Sequence, residues 1–217
     1  MMRASSAAEN GQTGQTGQLM KIVISGGPAA GKSTLIERLK DHLQSKPYPV
    51  IFIQEAATEL MNSGITPWNC PSTADFQRCL FRLQTQREDI FEKTAGLIGT
   101  DQVLIICDRG AMDGKAYLDD EEFSGMIQSE GYTEEELIGR YDAVFHLESS
   151  AMQNSYSLDN NPTRFETSEE AAKVEQRTWK IWDSHPDHFF IPSSPDPEDK
   201  LHSAICAIDN YLQTHHW

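Results

Sequence analysis

The chain lacks several features that would indicate a secreted, membrane-spanning or zinc-binding protein. Its four cysteines, Cys70, Cys79, Cys107 and Cys206, lie far apart, with neither a CxxC pair nor a cysteine–histidine cluster of zinc-binding spacing. It contains no run of eighteen apolar residues that could cross a bilayer, and residues 1–18 lack the apolar core of a signal peptide. We therefore expect free thiols, a cytoplasmic location and no membrane span.

Basic residues are also scarce. Lysine and arginine together number 18 against 33 aspartates and glutamates, which gives a formal net charge of −15. Such a surface repels nucleic-acid backbones and anionic membranes, so we expect no nucleic-acid partner and interpret most of the acidity as a solvated surface. A small anionic ligand can still bind where local donors and a metal ion outweigh distant, screened charges.

The length and the N-terminal composition predict one domain behind a tail. A chain of 217 residues suits a single buried core. Residues 11–18 form a Gly-Gln-Thr repeat with no aliphatic side chain to bury, which cannot offset the entropy lost on ordering. We predict a disordered, low-complexity tail over residues 1–18 and a single domain over residues 19–217.

Five short apolar runs alternate with helix-length segments. Their continuous apolar character predicts an α/β fold, in which a parallel sheet is covered by helices on both faces. Apolar residues at helical spacing predict one or two helices within residues 72–99 and further helices over 168–182 and 198–212. The predicted strands are Lys21–Ser25, Val50–Ile53, Val103–Cys107, Ala143–Leu147 and His188–Ile191.

A complete GxxxxGK[ST] phosphate loop follows the first predicted strand and precedes a helical pattern. Glycines allow backbone N–H groups to turn inward around phosphate oxygens, and the following helix adds the positive end of its dipole. The lysine would neutralise the β- and γ-phosphates, and the Ser33 hydroxyl would ligate Mg²⁺. The loop comprises Gly26, Gly27, Pro28, Ala29, Ala30, Gly31, Lys32, Ser33 and Thr34. The sequence therefore predicts a nucleoside-triphosphate site.

Charged residues follow three of the other predicted strands, at the sheet edge where ligands of such folds bind. Asp108 ends the third strand, which is the setting of a Walker B aspartate that holds Mg²⁺; the alternative is a helix N-cap. Arg109 could bind a phosphate or a sugar hydroxyl, or form a salt bridge with Asp108 or Glu55. Glu148 follows the fourth strand.

Glu55 follows the second predicted strand and is the carboxylate of greatest interest. A kinase that phosphorylates an alcohol needs a group to anchor the hydroxyl and to accept its proton, and a carboxylate facing the triphosphate can do both. The alternative is that Glu55 stabilises the start of the helical pattern that follows it.

The spaced set of motifs resembles a known family. The motifs are the phosphate loop, the Glu-Ala-Ala-Thr-Glu-Leu run from Glu55, Phe-Gln-Arg from Phe76, Gln-Arg-Glu-Asp from Gln86, Cys-Asp-Arg-Gly from Cys107 with Asp113-Gly114, Tyr-Asp-Ala-Val from Tyr141, and Asn-Pro-Thr-Arg-Phe-Glu from Asn161. The layout is similar to deoxynucleoside kinases, thymidylate kinase and ribosylnicotinamide kinase. Over residues 21–192 it most resembles small AAA-like P-loop ATPase/kinase domains related to ribosylnicotinamide kinase, which some animal GTP-binding proteins join to a CYTH-type triphosphate-tunnel domain.

This resemblance implies a three-layer P-loop NTPase fold like that of nucleoside and nucleotide kinases, with strand order 2-3-1-4-5 and a short lid after the fourth strand. It implies that Arg164 in the lid stabilises charge on the transferred group, whereas the simpler interpretation is a surface arginine paired with Glu166 or Glu169. It places Phe76 and Gln77 against the acceptor base; the alternative is one core and one exposed helical residue. The loop 192–195 would lie along the donor base.

We therefore expect a Mg²⁺-dependent, ATP- or GTP-dependent kinase that acts on a small, nucleoside-like acceptor, with Lys32, Glu55, Asp108, Arg109 and Arg164 as catalytic residues. Because Arg164 is the only basic residue between residues 149 and 168, the acceptor is expected to be uncharged rather than phosphorylated. The alternative is a module that binds nucleotide, hydrolyses it slowly and acts through a protein partner. A third possibility is plain hydrolysis within a larger assembly.

Overall fold

The computed structural model describes residues 17–149 and 168–217, and the side chains of 168–171 lie outside that description. The sheet contains five parallel strands in the order β2-β3-β1-β4-β5, the order that the resemblance implied. The first half of the chain forms β1 (Gln18–Ser25), α1 (Lys32–Leu43), β2 (Val50–Ile53), α2 (Ala56–Asn62), α3 (Thr73–Ala95) and β3 (Gln102–Asp108). The second half forms a 3₁₀ helix (Asp113–Tyr117), α4 (Asp120–Ser129), α5 (Glu134–Ile138), β4 (Ala143–Leu147), α6 (Ser168–Ile181), β5 (His188–Ile191) and α7 (Pro197–Thr214).

The two faces of the sheet bury two separate apolar clusters. Alternate residues of β1 point to opposite faces, so Ile22 and Ile24 join one cluster and Val23 joins the other. Helices α1 and α7 cover the first face, whereas α3, α4 and the end of α6 cover the second. The arrangement is the predicted three-layer α/β fold.

Several boundaries differ from the sequence prediction. Strand β1 begins at Gln18, three residues before the apolar run, because the Gln18 amide donates to the Asp101 carbonyl beside β3. The segment 72–99 forms one helix of 23 residues, and its first turn is capped by Ser72. The division into a tail and one domain stays a prediction, since residues 1–16 lie outside the described part.

Two acidic runs that looked like solvated surface are the first turns of α4 and α5. Asp119 and Glu122 form a reciprocal capping box at α4, and Thr133 and Glu136 form another at α5. Carboxylates at these positions satisfy first-turn amides and interact favourably with the positive end of the helix dipole. Part of the net negative charge therefore has a local structural role.

A buried ionic cluster joins α3 to the centre of the sheet. The carboxylate of Glu88 is fully buried and accepts hydrogen bonds from Lys21 Nζ at 3.0 Å, Arg140 Nε at 3.2 Å, the Tyr141 hydroxyl at 2.9 Å and Gln84 Nε2 at 2.7 Å. Removing one member of such a cluster would leave a buried charge without compensation. The cluster fixes α3 against the middle of β1 and against the residues that precede β4.

In the described residues, no helix is both long enough and apolar enough to cross a membrane.

The close packing of Gly110 against Trp182 predicts the outcome of one substitution. A Cβ at Gly110 would lie 2.7 and 2.8 Å from carbons of the fully buried Trp182 ring and 3.2 Å from Val23 Cγ2. We expect Gly110→Ala to lower the free energy of unfolding by roughly 1–3 kcal/mol, measured by urea denaturation, because a tightly packed core must shift to admit the methyl group.

Gly125→Ala is the matched control. Gly125 lies inside α4, and a Cβ there would meet nothing within 4 Å. The control should raise the free energy of unfolding by about 0.5–1 kcal/mol, because alanine loses less backbone entropy in a helix. Equal effects of the two substitutions would contradict the packing described here.

Candidate active site at the phosphate loop

The phosphate loop connects the end of β1 to the start of α1. Gly26 has φ 137°, and a Cβ there would lie 2.3 Å from the Leu147 carbonyl oxygen, so only glycine fits. Gly31 has φ 88° and turns the chain into α1, whose first turn receives no side-chain cap from the described residues. The amides at this helix end are available for an anion, and the helix dipole favours one.

Lys32 is bent back over its own loop. The residue is 8 % exposed, and its ammonium group donates to the Gly26 and Gly27 carbonyls, each at 2.9 Å. Burial, followed by the charge of Arg109, lowers the pKa of Lys32 to about 8, although the charges of Glu55, Asp108 and Asp113 oppose the shift. A polyphosphate beside this ammonium group would favour its charged form.

Arg109 connects the ends of three elements. It has φ 72°, an uncommon conformation for a residue with a side chain, and its amide donates to the Ile24 carbonyl at 3.1 Å while its own carbonyl accepts from Gln84 Nε2 at 3.1 Å. Its guanidinium group donates to Glu55 Oε1 at 2.6 Å and to the Gly26 carbonyl at 3.2 Å. The salt bridge with Glu55 that the sequence left open is present.

Glu55 stands at the junction of β2 and α2, where it makes no side-chain cap to the helix. Its other oxygen accepts from the Thr58 hydroxyl at 2.7 Å. Burial opposes the charge, but Arg109, Lys32 and the hydrogen bond from Thr58 outweigh it and lower the pKa of Glu55 to about 2. Glu55 is therefore an ionised hydrogen-bond acceptor at neutral pH.

Asp108 has the opposite electrostatic character. Its Oδ1 atom is buried, with no hydrogen-bond partner among residues 17–149 and 168–217. Burial raises the pKa of Asp108 to about 6, with a smaller contribution from Glu55, and the charges of Lys32 and Arg109 only partly offset this. Asp108 does not cap a helix, since the next one begins after Met112. A buried carboxylate oxygen without a donor fits a hard cation.

A cleft of about 430 Å³ lies beside these groups. Ser33, Glu55 and Asp108 all line it, so the two predicted magnesium ligands share one cavity with the predicted hydroxyl anchor. Three of the other charged lining residues are Glu37, Lys40 and Glu59. The cleft is thus rich in carboxylate groups.

Phe76 and Gln77 lie on the first turns of α3 and do not line this cleft. Both are buried, at 4 % and 5 % exposed, so the alternative of one core and one exposed residue is wrong. The Gln77 side-chain oxygen lies 3.1 Å from where a Cβ of Gly114 would stand and has no hydrogen-bond partner within the described structure. Arg164 and most of the predicted lid lie outside the described residues.

Three side chains for which sequence analysis assigned no role hold the site in place; Asp113 and Glu175 are buried, and Lys200 is half-buried. Asp113 accepts from Ser25 Oγ at 2.7 Å, Gly110 N at 2.9 Å and Trp182 Nε1 at 2.8 Å. Lys200 on α7 donates to the Ala30 carbonyl at 2.7 Å and to the Glu148 carbonyl, and Glu175 on α6 accepts from the Gly27 amide at 2.6 Å.

Of these three, only Asp113 belongs to a motif near the strand ends. Lys200 and Glu175 are polar positions on distant helices, and nothing in the sequence distinguishes them from neighbouring surface residues. Glu148 and the loop after β5 are also joined, because Glu148 Oε2 accepts from Ser193 N and Oγ, each at 2.7 Å.

Comparison with protein-family models matches residues 21–200 to an AAA domain family. The match covers most of the chain, including the phosphate loop, Glu55, Asp108 and Arg109. The chain belongs to this AAA domain family. No curated protein matches the sequence.

Among solved structures, this AAA domain is similar to thymidylate kinase from Ehrlichia chaffeensis. The TM-score is 0.60 with 16 % sequence identity, and the match covers 89 % of this chain and 98 % of that one. At this identity the likeness shows the fold: a three-layer P-loop α/β domain of the nucleotide-kinase type.

Replacing aspartate by asparagine should have opposite effects on stability at Asp108 and Asp113, two aspartates of the AAA domain that lie five positions apart. Because the folded-state pKa of Asp108 is raised from 3.8 to about 6, wild-type stability in EDTA should fall as pH rises through that interval. Asp108→Asn should remove this fall and raise the free energy of unfolding near neutral pH by roughly 1–3 kcal/mol. It should also abolish stabilisation by Mg²⁺ with nucleotide.

Asp113→Asn is the control for this pair. Asp113 is 2 % exposed and accepts three hydrogen bonds, so an amide NH₂ there would face donors. We expect it to lower stability by roughly 1–3 kcal/mol. Denaturant titrations at several pH values measure both variants, and a loss of stability in Asp108→Asn would contradict the electrostatics described above.

Proposed function

We propose that this AAA domain is a P-loop phosphotransferase that moves the γ-phosphoryl group of ATP or GTP to a hydroxyl of a small, nucleoside-like acceptor. The observation that carries this proposal is the shared cleft: ionised Glu55, paired with Arg109, lines the same cavity as Ser33 and Asp108 at the end of the phosphate loop. Phosphoryl transfer needs a donor site, a cation site and a hydroxyl site in contact.

Each group at the loop has a distinct part in this proposal. The loop amides and Lys32 bind the polyphosphate and hold its charge. Ser33 and Asp108 Oδ1, which has no hydrogen-bond partner among the described residues, would hold Mg²⁺, which when bound neutralises charge on the β- and γ-phosphates. Arg109 keeps Glu55 in place and adds positive charge, and Arg164 is proposed to stabilise charge on the transferred group.

Glu55 is better suited to anchoring the acceptor hydroxyl than to removing its proton early. A carboxylate whose pKa is about 2 holds a proton weakly. It is nevertheless a strong hydrogen-bond acceptor and can orient an alcohol towards the phosphorus. In a loose transition state the new bond forms late, so an anchor can take the proton once the oxygen has become acidic.

The charge of the cleft supports an uncharged acceptor. Four carboxylates line it, those of Glu37, Glu55, Glu59 and Asp108. Among the described lining residues the one basic side chain is Lys40, which is already paired with Glu37 at 2.7 Å, so the lining offers no free cation to a phosphorylated substrate. The buried Gln77 oxygen, which lacks a donor in the described part of the chain, supports a role for Phe76 and Gln77 in binding the acceptor base. We propose loop 192–195 as the contact for the donor base.

One observation favours the alternative, a module that binds and slowly hydrolyses nucleotide and acts through a protein partner. Both carboxylate oxygens of Glu55 already have donors, Arg109 Nε and the Thr58 hydroxyl. A carboxylate with both oxygens engaged can serve as a structural link rather than as a hydroxyl anchor. The two functions differ in whether a phosphoryl group reaches an acceptor.

A transfer assay with Glu55→Gln separates these functions. With γ-labelled ATP or GTP, Mg²⁺ and a panel of nucleosides, we expect a labelled nucleoside product, and Glu55→Gln should lower kcat by about 10²-fold or more while nucleotide Kd changes by less than about 3-fold. Lys32→Ala should weaken nucleotide binding by about 10- to 100-fold.

Glu198→Gln is the matched control, because Glu198, like Glu55, is a glutamate at the start of a helix that is paired with an arginine, here Arg38, but it is exposed on α7. It should leave transfer and binding unchanged. Slow nucleotide hydrolysis that is insensitive to Glu55→Gln, with no labelled acceptor, would reject the kinase in favour of the binding module.

A further inference from the structure

The peptide unit between Gly26 and Gly27 accepts hydrogen bonds from two cations of the site, Lys32 and Arg109. Its carbonyl oxygen accepts from Lys32 Nζ at 2.9 Å and from Arg109 Nη1 at 3.2 Å. In a trans peptide the N–H and C=O groups point in opposite directions, so the orientation of this one plane sets the position of the acceptor that the two cations share. Lys32 Nζ also donates to the Gly27 carbonyl, at 2.9 Å. The plane lies between two glycines, whose backbone torsions meet little steric restraint.

Glu175 holds the other side of that plane. Its Oε2 atom accepts from the Gly27 amide at 2.6 Å, and its Oε1 atom lies 2.8 Å from Nε2 of the fully buried His146 on β4. A backbone hydrogen bond from Ser149 also reaches the carboxylate. Burial opposes the charge, but the hydrogen bond and charge of His146, with the two backbone bonds, keep the pKa of Glu175 below its usual range.

Helix α6 approaches the loop closely enough to fix this contact. A Cβ on Gly27 would lie 2.5 Å from Glu175 Oε2, 3.1 Å from its Cβ and 3.2 Å from its Cα. Because Glu175 takes the Gly27 amide and Pro28 has no N–H, the phosphate must bind to amides nearer α1. Glu175 therefore acts on the loop from the side opposite the nucleotide.

We propose that Glu175 is a positioning residue for nucleotide binding: it fixes the plane of the Gly26–Gly27 peptide and so holds the acceptor that places Lys32 and Arg109. The inference rests on the proposed function in one respect, that this loop binds a nucleoside triphosphate.

The contact itself can be measured without nucleotide or acceptor. Gly26–Gly27 is the only Gly–Gly step in the sequence. Glycine labelled with ¹³C at the carbonyl and ¹⁵N at the amide therefore gives a single HNCO peak, that of Gly27. A short hydrogen bond to a buried carboxylate should move this amide proton far downfield, and Glu175→Ala should move it upfield. Gln176→Ala, an exposed neighbour on α6, should leave it in place.

Binding measurements then test whether Glu175 affects nucleotide affinity through Lys32. By calorimetry with Mg²⁺-ATP and Mg²⁺-GTP, Glu175→Ala should weaken affinity by about 10- to 100-fold, and Glu175→Gln, which can still accept from Gly27, should stay within about 3-fold of wild type. In the Lys32→Ala background, Glu175→Ala should cost less than about 2-fold, because its effect acts largely through that ammonium group.

A Gly27 resonance that does not move in Glu175→Ala would overturn the inference, as would a full loss of affinity from Glu175→Ala in the Lys32→Ala background. Should Glu175→Ala fail to fold, Glu175→Gln decides the question. The glutamine oxygen is a weaker acceptor than a carboxylate, so the Gly27 peak should move part of the way upfield. A peak that does not move would refute the contact. Absence of phosphoryl transfer alongside the expected Gly27 shift would reject only the proposed kinase.

Discussion

The ion pair between Arg109 and Glu55 joins the parts of this molecule that the proposed chemistry requires. It links the end of β3 to the end of β2, and the same guanidinium group reaches the Gly26 carbonyl at the end of β1. Arg109 adopts a left-handed backbone conformation to do so, at a cost of roughly 1–2 kcal/mol. The Gln84 amide, held in turn by Glu88, stabilises that conformation from behind.

The charged groups around the loop suit a ligand that combines an anion with a cation. Burial lowers the pKa of Lys32 and raises the pKa of Asp108. An anion beside Lys32 and a cation beside Asp108 would relieve both shifts at once. Perturbed groups of opposite kind in one cleft are typical of functional sites, and here they match the chemistry of a metal-bound polyphosphate. Glu55 differs because its charge is already compensated by Arg109.

The architecture and much of the candidate site could be predicted from sequence, because both depend on local patterns. Five apolar runs marked the strands, and the phosphate-loop spacing placed Lys32 and Ser33 at the start of a helix. The capping boxes of α4 and α5 were also legible, although the acidic runs of which they are part were interpreted as solvated surface.

The positions of Glu175 and Lys200 could not be predicted. Each lies on a helix whose polar positions look alike in sequence, and only the packing of helix against sheet decides which one faces the loop. Asp113 was part of a recognised motif, but its three hydrogen bonds join residues from separate elements of the chain. Such long-range contacts follow from the tertiary structure rather than from periodicity or spacing.

The close approach of α6 to the phosphate loop also has an evolutionary consequence. Gly27 and Glu175 are separated by 148 positions in the chain, yet a side chain at the first would collide with the second. A bulkier residue at 27 would require a smaller one at 175, and that exchange would remove the carboxylate. Across relatives of this chain the two sites should be inherited as a pair.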